Sequence, residues 1–441
     1  MMEELKIEKL IAGGYSLART REGKVALLDG GYPGEVVLAS RSEGKNDFHL
    51  MKTERIVTPS NARRERLCTS FPVCGGCDWQ TLEYSQQLHW KREIIREQFS
   101  RVGKIKVDDF EIVPSPKEVN YRLKMEFVCY QGKKGLSLGL YRRNSKFPVN
   151  CRNCVLGLRN FEKTRAVFED ILRKTSLRPY NRANGKGELK HLILRGNRSQ
   201  VMAILVTKGE RLPDEDHIVY SVKKRLSEVS TLVHIMNSND RVVMRGVSRT
   251  LFGEGILEQD LSAKRFEVPP VAFFQNNLEV TELIVQHIVN EMGKSVGDSL
   301  LDLYSGIGTF SITIGNQMKK VTSVESNPVS VKALKANANL NGMFGIDLVM
   351  SDVIDYLKSN ERQFSTVILD PPRAGVGEGI KLLEKARPSR IFYVSCDPAT
   401  LARDVAKLME AGFEISSMKA FDMFPQTWHV ETVVLMSRVE K

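Results

Sequence analysis

The sequence predicts an α/β protein: a carboxyl-terminal parallel β-sheet covered by helices on both faces, preceded by a small β-barrel and an α+β middle region. Three observations lead there. After Val268 apolar runs alternate with helical segments, with strands expected at 299–304, 321–325, 348–351, 366–370 and 390–395. Residues 1–58 read as short strands broken by Asp29-Gly30-Gly31 and Ser42-Glu43-Gly44, a pattern that suits a barrel of OB-like size. Between them short strands mix with helical stretches at 82–99 and 160–174. Three domains follow as the expectation, at 1–58, 59–257 and 258–441.

Each part has its own justification. At 441 residues the chain is too long for one ordinary core, and 42 % hydrophobic with 27 % charged residues marks it as globular. No apolar run approaches the ~20 residues of a membrane span, and the charged start Met-Met-Glu-Glu-Leu-Lys has no secretory core. A cytoplasmic, monomeric protein without membrane contact is therefore expected. The net charge of +12 favours a polyanionic partner. Arg63-Arg64-Glu65-Arg66, Tyr141-Arg142-Arg143 and Lys223-Lys224-Arg225 are candidates for phosphate contact, or else solvated surface. The helix after Glu325 is signalled by Asn327 as cap, Pro328 at its first position and Gly342 past its end. Residues 414–438 read as two strands at an antiparallel edge.

The seven cysteines divide into unlike groups. Cys68, Cys74 and Cys77 fall within ten residues at C-x5-C-x2-C spacing, which points to a zinc or iron–sulfur centre in a reducing compartment. Cys129 lies in a strand-like run and is expected in the core. Cys396 stands alone after the apolar run Ile391-Phe392-Tyr393-Val394, where a strand end would display a nucleophile.

Tyr304-Ser305-Gly306-Ile307-Gly308 places Gly-x-Gly between a strand and a helix, so that backbone can approach a ligand. Glu325 ends the next strand, where a carboxylate would meet ribose hydroxyls, and Asp352 follows the third, facing an adenine amino group. A pyrophosphate would favour a third glycine, but Phe310-Ser311 fall at that point. Asp370-Pro371-Pro372-Arg373 closes the fourth strand, as in enzymes that transfer the methyl group of S-adenosylmethionine. Carbon methylation of a pyrimidine needs a thiolate to add at C6 and a base to remove the C5 proton. Cys396 and Glu431 are the candidates.

The residues that carry a family resemblance are Cys68, Cys74 and Cys77 with a later cysteine, Phe274-Gln275-Asn276-Asn277, the Tyr304–Gly308 loop, Asp370–Gly375, Ser395–Asp404 and His429–Thr432. On these the chain resembles the uracil-5-methyltransferase family of RNA. The similar branch has an amino-terminal TRAM domain and a four-cysteine [4Fe-4S] cluster, and includes bacterial 23S rRNA enzymes. The resemblance implies a class I (Rossmann-like) methyltransferase domain behind an OB-like TRAM barrel and an α+β domain with the cluster. It implies S-adenosylmethionine contacts at Gln275, Tyr304, Thr309, Glu325 and Asp352, with Asp370 at the junction of cofactor and pyrimidine. Cys396 matches the nucleophile and Glu431 the base. The fourth cluster ligand is expected at Cys154, which precedes Val155-Leu156, with Cys151 as the alternative. An RNA substrate follows, 23S rRNA ahead of tRNA. A non-catalytic RNA-binding assembly factor and a cytosine-C5 enzyme are the competing expectations.

Overall fold

Alternating burial along the first strands closes them into a barrel. The strands are β1 (Met2–Leu10), β2 (Ser16–Arg19), β3 (Val25–Asp29), β4 (Val36–Gly44) and β5 (Phe48–Thr58), and β1–β4 pairing completes the ring. Leu5, Ile7, Ala18, Ala26, Leu28, Val37, Ala39 and Met51 fill it. The computed structural model describes residues 2–44, 48–239, 246–293 and 299–439.

Helix α1 (Tyr84–Gln98) and strand β6 (Glu111–Val113) lead into a seven-stranded sheet. Its strands are β7 (Lys124–Gly132), β8 (Gly135–Tyr141), β9 (Pro148–Val149), β10 (Leu189–Gly196), β11 (Val201–Thr207), β12 (Val229–Met236) and β13 (Val247–Phe252). Every residue of β10 and β11 is buried because both faces of this sheet are covered. Helices α2 (Arg159–Arg173) and α3 (Glu215–Arg225) pack on one face through Phe168, Ile171, Ile218 and Val222. The other face sets Ile193, Ile204 and Val233 against Phe266, Phe274, Ile307 and Ile312 of the following region.

That region starts with the hairpin β14 (Leu257–Leu261) and β15 (Lys264–Val268), then α4 (Leu278–Met292), capped by Asn277. Strand–helix units follow: β16 (Ser299–Leu303) and α5 (Thr309–Ile314), β17 (Lys320–Glu325) and α6 (Pro328–Leu340), β18 (Ile346–Met350) and α7 (Val353–Ser359). The series ends with β19 (Thr366–Leu369), α8 (Gly379–Leu382), β20 (Arg390–Ser395), α9 (Pro398–Glu410), β21 (Phe413–Phe421) and β22 (Glu431–Arg438). The sheet order is β18-β17-β16-β19-β20-β22-β21-β6, with β16–β20 parallel. The expected helix signals act as read: Asn327 Oδ1 accepts the N–H groups of Val329 and Ser330, and Gly342 adopts φ 72° after α6.

Two expectations need correction. The last two strands are antiparallel to each other but are not an edge: β22 inserts between β20 and β21, and β6 pairs parallel with β21 outside them. A three-residue strand supplied by the middle of the chain gives too weak a pattern to read from sequence. The run at Arg63 is not a free basic surface either. Arg63 makes a bidentate pair with buried Glu35, and Arg64 pairs with the partly exposed Glu118, so both guanidinium groups are already engaged within the fold. Arg225 likewise pairs with Asp170, whereas Arg142 is exposed. Among the described residues no helix is long and apolar enough to cross a membrane.

Candidate active site and thiol centre

Parallel strands place all their carboxyl ends on one side, and the order reverses between β16 and β19, opening a crevice there. Tyr304, Glu325, Asp352, Asp370 and Cys396 lie at or just past the ends of β16, β17, β18, β19 and β20. Because β22 runs antiparallel, its first residue, Glu431, reaches the same side.

At the β16–α5 turn Gly308 adopts φ 95°, and a Cβ there would lie 2.7 Å from Ile312 Cδ1. Only glycine lets the backbone turn this closely. The Gly306 N–H donates to Glu325 Oε2 at 3.0 Å and the Asn327 N–H to Oε1 at 2.7 Å, fixing the carboxylate at the strand end. Tyr304 is half-buried at φ 63° and Thr309 opens α5. Asp352 is exposed and caps α7 through the Ile354 N–H at 2.8 Å. Gln275, on the approach to α4, donates from Nε2 to Asp370 Oδ2 at 3.4 Å. Beneath the turn, buried Asp302 accepts from the Ser311 backbone N–H and hydroxyl, and burial raises its carboxyl to about 7. Burial, then the nearby Asp302 charge, raises Asp370 to about 7 as well.

Cys396 is half-buried and Glu431 buried. Burial first, and the Glu431 charge second, push the Cys396 thiol up to about 12, while Arg373 pulls it down. Glu431 is held well above the usual carboxylate range by burial and then by Asp370, again against Arg373. Arg373 donates to His429 Nε2 at 3.3 Å; burial and then that cation hold the imidazole down at about 3, so it accepts as the neutral form. Asp397 caps α9 through the N–H groups of Ala399 and Thr400, and Thr400 Oγ1 donates to the Arg373 carbonyl at 3.1 Å. The first turn of α9 therefore also anchors Arg373. Beside His429 a cleft of about 520 Å³ opens between the barrel, the middle sheet and the 426–430 loop, lined by Arg122, Lys124, Arg142, Arg143 and Trp428.

The clustered cysteines meet in a second place. Cys68, Cys74, Cys77, Cys151 and Cys154 line one small cavity with Phe71, Gln80 and Arg122. Cys151 touches Cys68, Cys74 and Cys154, and these contacts hold the thiols of Cys68 and Cys154 down at about 6. Burial pushes Cys77 up to about 12. Among the described residues, no group of three or more histidine, cysteine or carboxylate side chains has the spacing to hold a metal ion. By donor chemistry alone an all-sulfur set is of the kind that iron–sulfur clusters use. Cys129 is in the core, as expected, packed with Phe127 and Leu138.

The strand-end residues singled out from sequence lie around one crevice, while Arg373 as the shared cation, Asp302 below the turn, and the 422–430 loop were missed. Asp302 had a visible signal, an acid inside the apolar run Leu300-Leu301-Asp302-Leu303. Gln426 had none, since its partners lie hundreds of residues away.

Comparison with known proteins adds the following. Residues 255–439 match the family model for tRNA (uracil-5-)-methyltransferase. An RNA methyltransferase of uncharacterized specificity from Thermotoga maritima is 41 % identical over 445 residues, covering 100 % of both chains. Another from Nitratidesulfovibrio vulgaris is 31 % identical, covering 100 % of this chain and 97 % of its own. The crystal structure of the Pyrococcus abyssi tRNA (uracil-54, C5)-methyltransferase in complex with S-adenosyl-L-homocysteine superposes with a TM-score of 0.77 at 25 % identity, covering 99 % of this chain and 100 % of that one. With a Gly-x-Gly turn, a strand-end acid and a basic cleft in place, the chain belongs to the RNA uracil-5-methyltransferase family and is an S-adenosylmethionine-dependent RNA methyltransferase.

Proposed function

We propose that the protein methylates C5 of a specific uridine in RNA, with 23S rRNA as its substrate, through a covalent bond from Cys396 to C6. The observation that carries this reading is the placement of Cys396 and Glu431 across from each other beside Asp370, next to a cleft rich in arginine and lysine. The target base must leave its stack to reach this crevice. The Cys396 thiol gives its proton to solvent, Sγ bonds to C6, and the C5=C6 electron pair moves onto O4 as an enolate. S-adenosylmethionine supplies the methyl group. C5 takes it as the methyl–sulfonium bond breaks and S-adenosylhomocysteine forms. Ionised Glu431 then removes the C5 proton, the C5=C6 bond re-forms, and the Cys396 thiolate is expelled.

The roles divide along the crevice. Glu325 faces the ribose, Asp352 the adenine, and Tyr304, Thr309 and Gln275 the rest of the cofactor. Asp370 meets both cofactor and pyrimidine. The barrel at 1–58 acts as a TRAM domain on RNA, 59–257 is the central domain and 258–441 the methyltransferase domain. Cys68, Cys74, Cys77 and Cys154 hold a [4Fe-4S] cluster, with Cys151 as the competing fourth ligand. A cluster distributes its thiolates over several irons, so it does not require the tight spacing of a single-ion site. The cytoplasm is the expected site of action, with the enzyme acting as a monomer.

Incubation with methyl-tritiated S-adenosylmethionine and RNA, followed by digestion to nucleosides, tests the reading. Labelled 5-methyluridine is expected; its absence with both 23S rRNA and tRNA would sink it, and labelled 5-methylcytidine would replace it with the cytosine reading. The resemblance to the Pyrococcus abyssi enzyme favours tRNA as a second substrate reading, and the two RNAs in parallel reactions separate them. Anaerobically purified protein should be brown with iron and sulfide; a colourless protein containing zinc would overturn the cluster.

A further inference from the structure

The loop that ends at Glu431 is held almost entirely by the cysteine-bearing part of the chain. Residues 422–430 close the β21–β22 hairpin, whose last pair is Phe421 with Glu431. At the centre of the loop Gln426 is fully buried at φ 70°, a left-handed conformation costly for a residue with a side chain. Such strain persists only where the surroundings over-determine it. Here every polar group of Gln426 is bound. Its carbonyl accepts the N–H groups of Asp78 and Trp79 at 2.9 and 3.0 Å. Its own N–H donates to Gln87 Oε1 at 2.9 Å, and its Oε1 accepts from Gln87 and Arg64. Its Nε2 donates to Glu118.

The neighbours are gripped in the same way. The Trp428 N–H donates to Asp78 Oδ2 at 3.2 Å, the Tyr121 hydroxyl to the Pro425 carbonyl at 3.0 Å, and Lys91 to the Phe424 carbonyl at 3.1 Å. Asp78 directly follows Cys77. A second path runs through Gln80, whose Nε2 donates to Cys77 Sγ and whose Oε1 accepts from the Cys68 N–H at 2.8 Å. Arg64 then joins the Gln80 carbonyl to Gln426 Oε1. Two short hydrogen-bonded routes thus connect the thiol centre to the loop that delivers Glu431.

We infer that Gln426 and Asp78 are positioning residues for Glu431, and that the thiol centre at Cys68 and Cys77 governs proton removal from C5 without touching RNA. This rests on the base role proposed for Glu431. Order in the Cys68–Gln80 segment keeps the loop in its strained form and the carboxylate aimed at C5. When that segment loosens, addition and methyl transfer still occur at Cys396, but elimination slows and the methylated adduct accumulates.

The test uses the full-length protein and its Gln426→Gly and Cys77→Ser variants, with Cys129→Ser as a core-destabilising comparison. Glycine keeps φ accessible while it removes the side-chain bonds and frees the backbone. In both loop variants amide hydrogen exchange across 423–430 should speed at least about tenfold while the barrel strands stay protected. Release of tritium from [5-³H]uridine RNA should slow by about tenfold or more at saturating RNA, with adduct visible on denaturing gels. Cys129→Ser should leave the ratio of adduct to product at the wild-type value. Wild-type exchange and adduct levels in Gln426→Gly overturn the inference, and that variant decides alone if Cys77→Ser does not fold. Failure of the underlying reading looks different: wild-type protein would then give neither 5-methyluridine nor adduct, whatever the exchange shows.

Discussion

Cys396 and Glu431 meet at one end of the β20–β22 ladder, each a single residue beyond the Ser395–Thr432 pair that closes it. The antiparallel insertion of β22 beside a parallel strand produces this pairing, because only an antiparallel strand begins where its neighbour ends. The proposed nucleophile and base thus both adjoin the end of one main-chain ladder.

The first prediction concerns that pair. With 5-fluorouridine RNA, whose C5 carries no removable proton, wild-type protein should form an adduct stable on denaturing gels, and Cys396→Ala should form none. Glu431→Gln should slow product release by about 10²–10⁴-fold and trap adduct on ordinary RNA. An adduct that survives Cys396→Ala would place the nucleophile elsewhere.

The second concerns pH. Burial raises both Cys396 and Glu431, and Arg373 lowers both. The proposed reaction needs each in its ionised form, so activity should rise with pH. Removing the cation in Arg373→Gln leaves both groups harder to ionise and should move the acid limb of kcat/KM to higher pH, with partial recovery in alkaline buffer. A limb that stays in place would show that Arg373 does not act on these groups.

The third is about stability. Lys91 and Asp422 form an ion pair with no solvent exposure at either side chain. Lys91→Met strands a buried carboxylate and should cost about 3–5 kcal/mol in urea unfolding. The double variant Lys91→Met/Asp422→Leu should recover much of that loss, since no charge is left unpaired. A double variant no better than the single one would contradict this account.

The fourth tests the cofactor turn. Gly308→Ala places a methyl group against Ile312 at a φ that disfavours any side chain. It should cost about 1–3 kcal/mol of stability and weaken S-adenosylmethionine binding, as measured by isothermal titration. Affinity at the wild-type level would separate the turn from the cofactor.

The parallel strands and the α6 caps were legible because they depend on neighbours in sequence: apolar runs of strand length, Asn327 before Pro328, Gly342 beyond the helix. Cys396, Asp370 and Glu325 were legible for the same reason, each closing a strand. Glu431 was reached less directly, because its place depends on β22 turning back between two other strands. Arg63 and Arg64 misled, since a charged run reads as surface until the acceptors beneath it, Glu35 and Glu118, are brought up by distant segments. Whether Cys151 or Cys154 is the better ligand is not separated by spacing, and the fold carries both thiols to the same cavity.

Strand β6 gives the fold a timing constraint. Glu111, Ile112 and Val113 leave the ribosome long before Lys419, Ala420 and Phe421, the residues they pair with. Until then β6 has no partner strand, and α9 is not there to cover Ile95 of α1 and Phe99 just beyond it. The carboxyl-terminal sheet cannot be finished as it is synthesised; it must recruit an edge made earlier, so this closure has high contact order and should come late in folding. A fragment beginning at β14 would lack that edge strand and present the outer edge of β21 to other chains. The part of the chain that matches the family model thus carries all but one strand of its sheet, and borrows the edge.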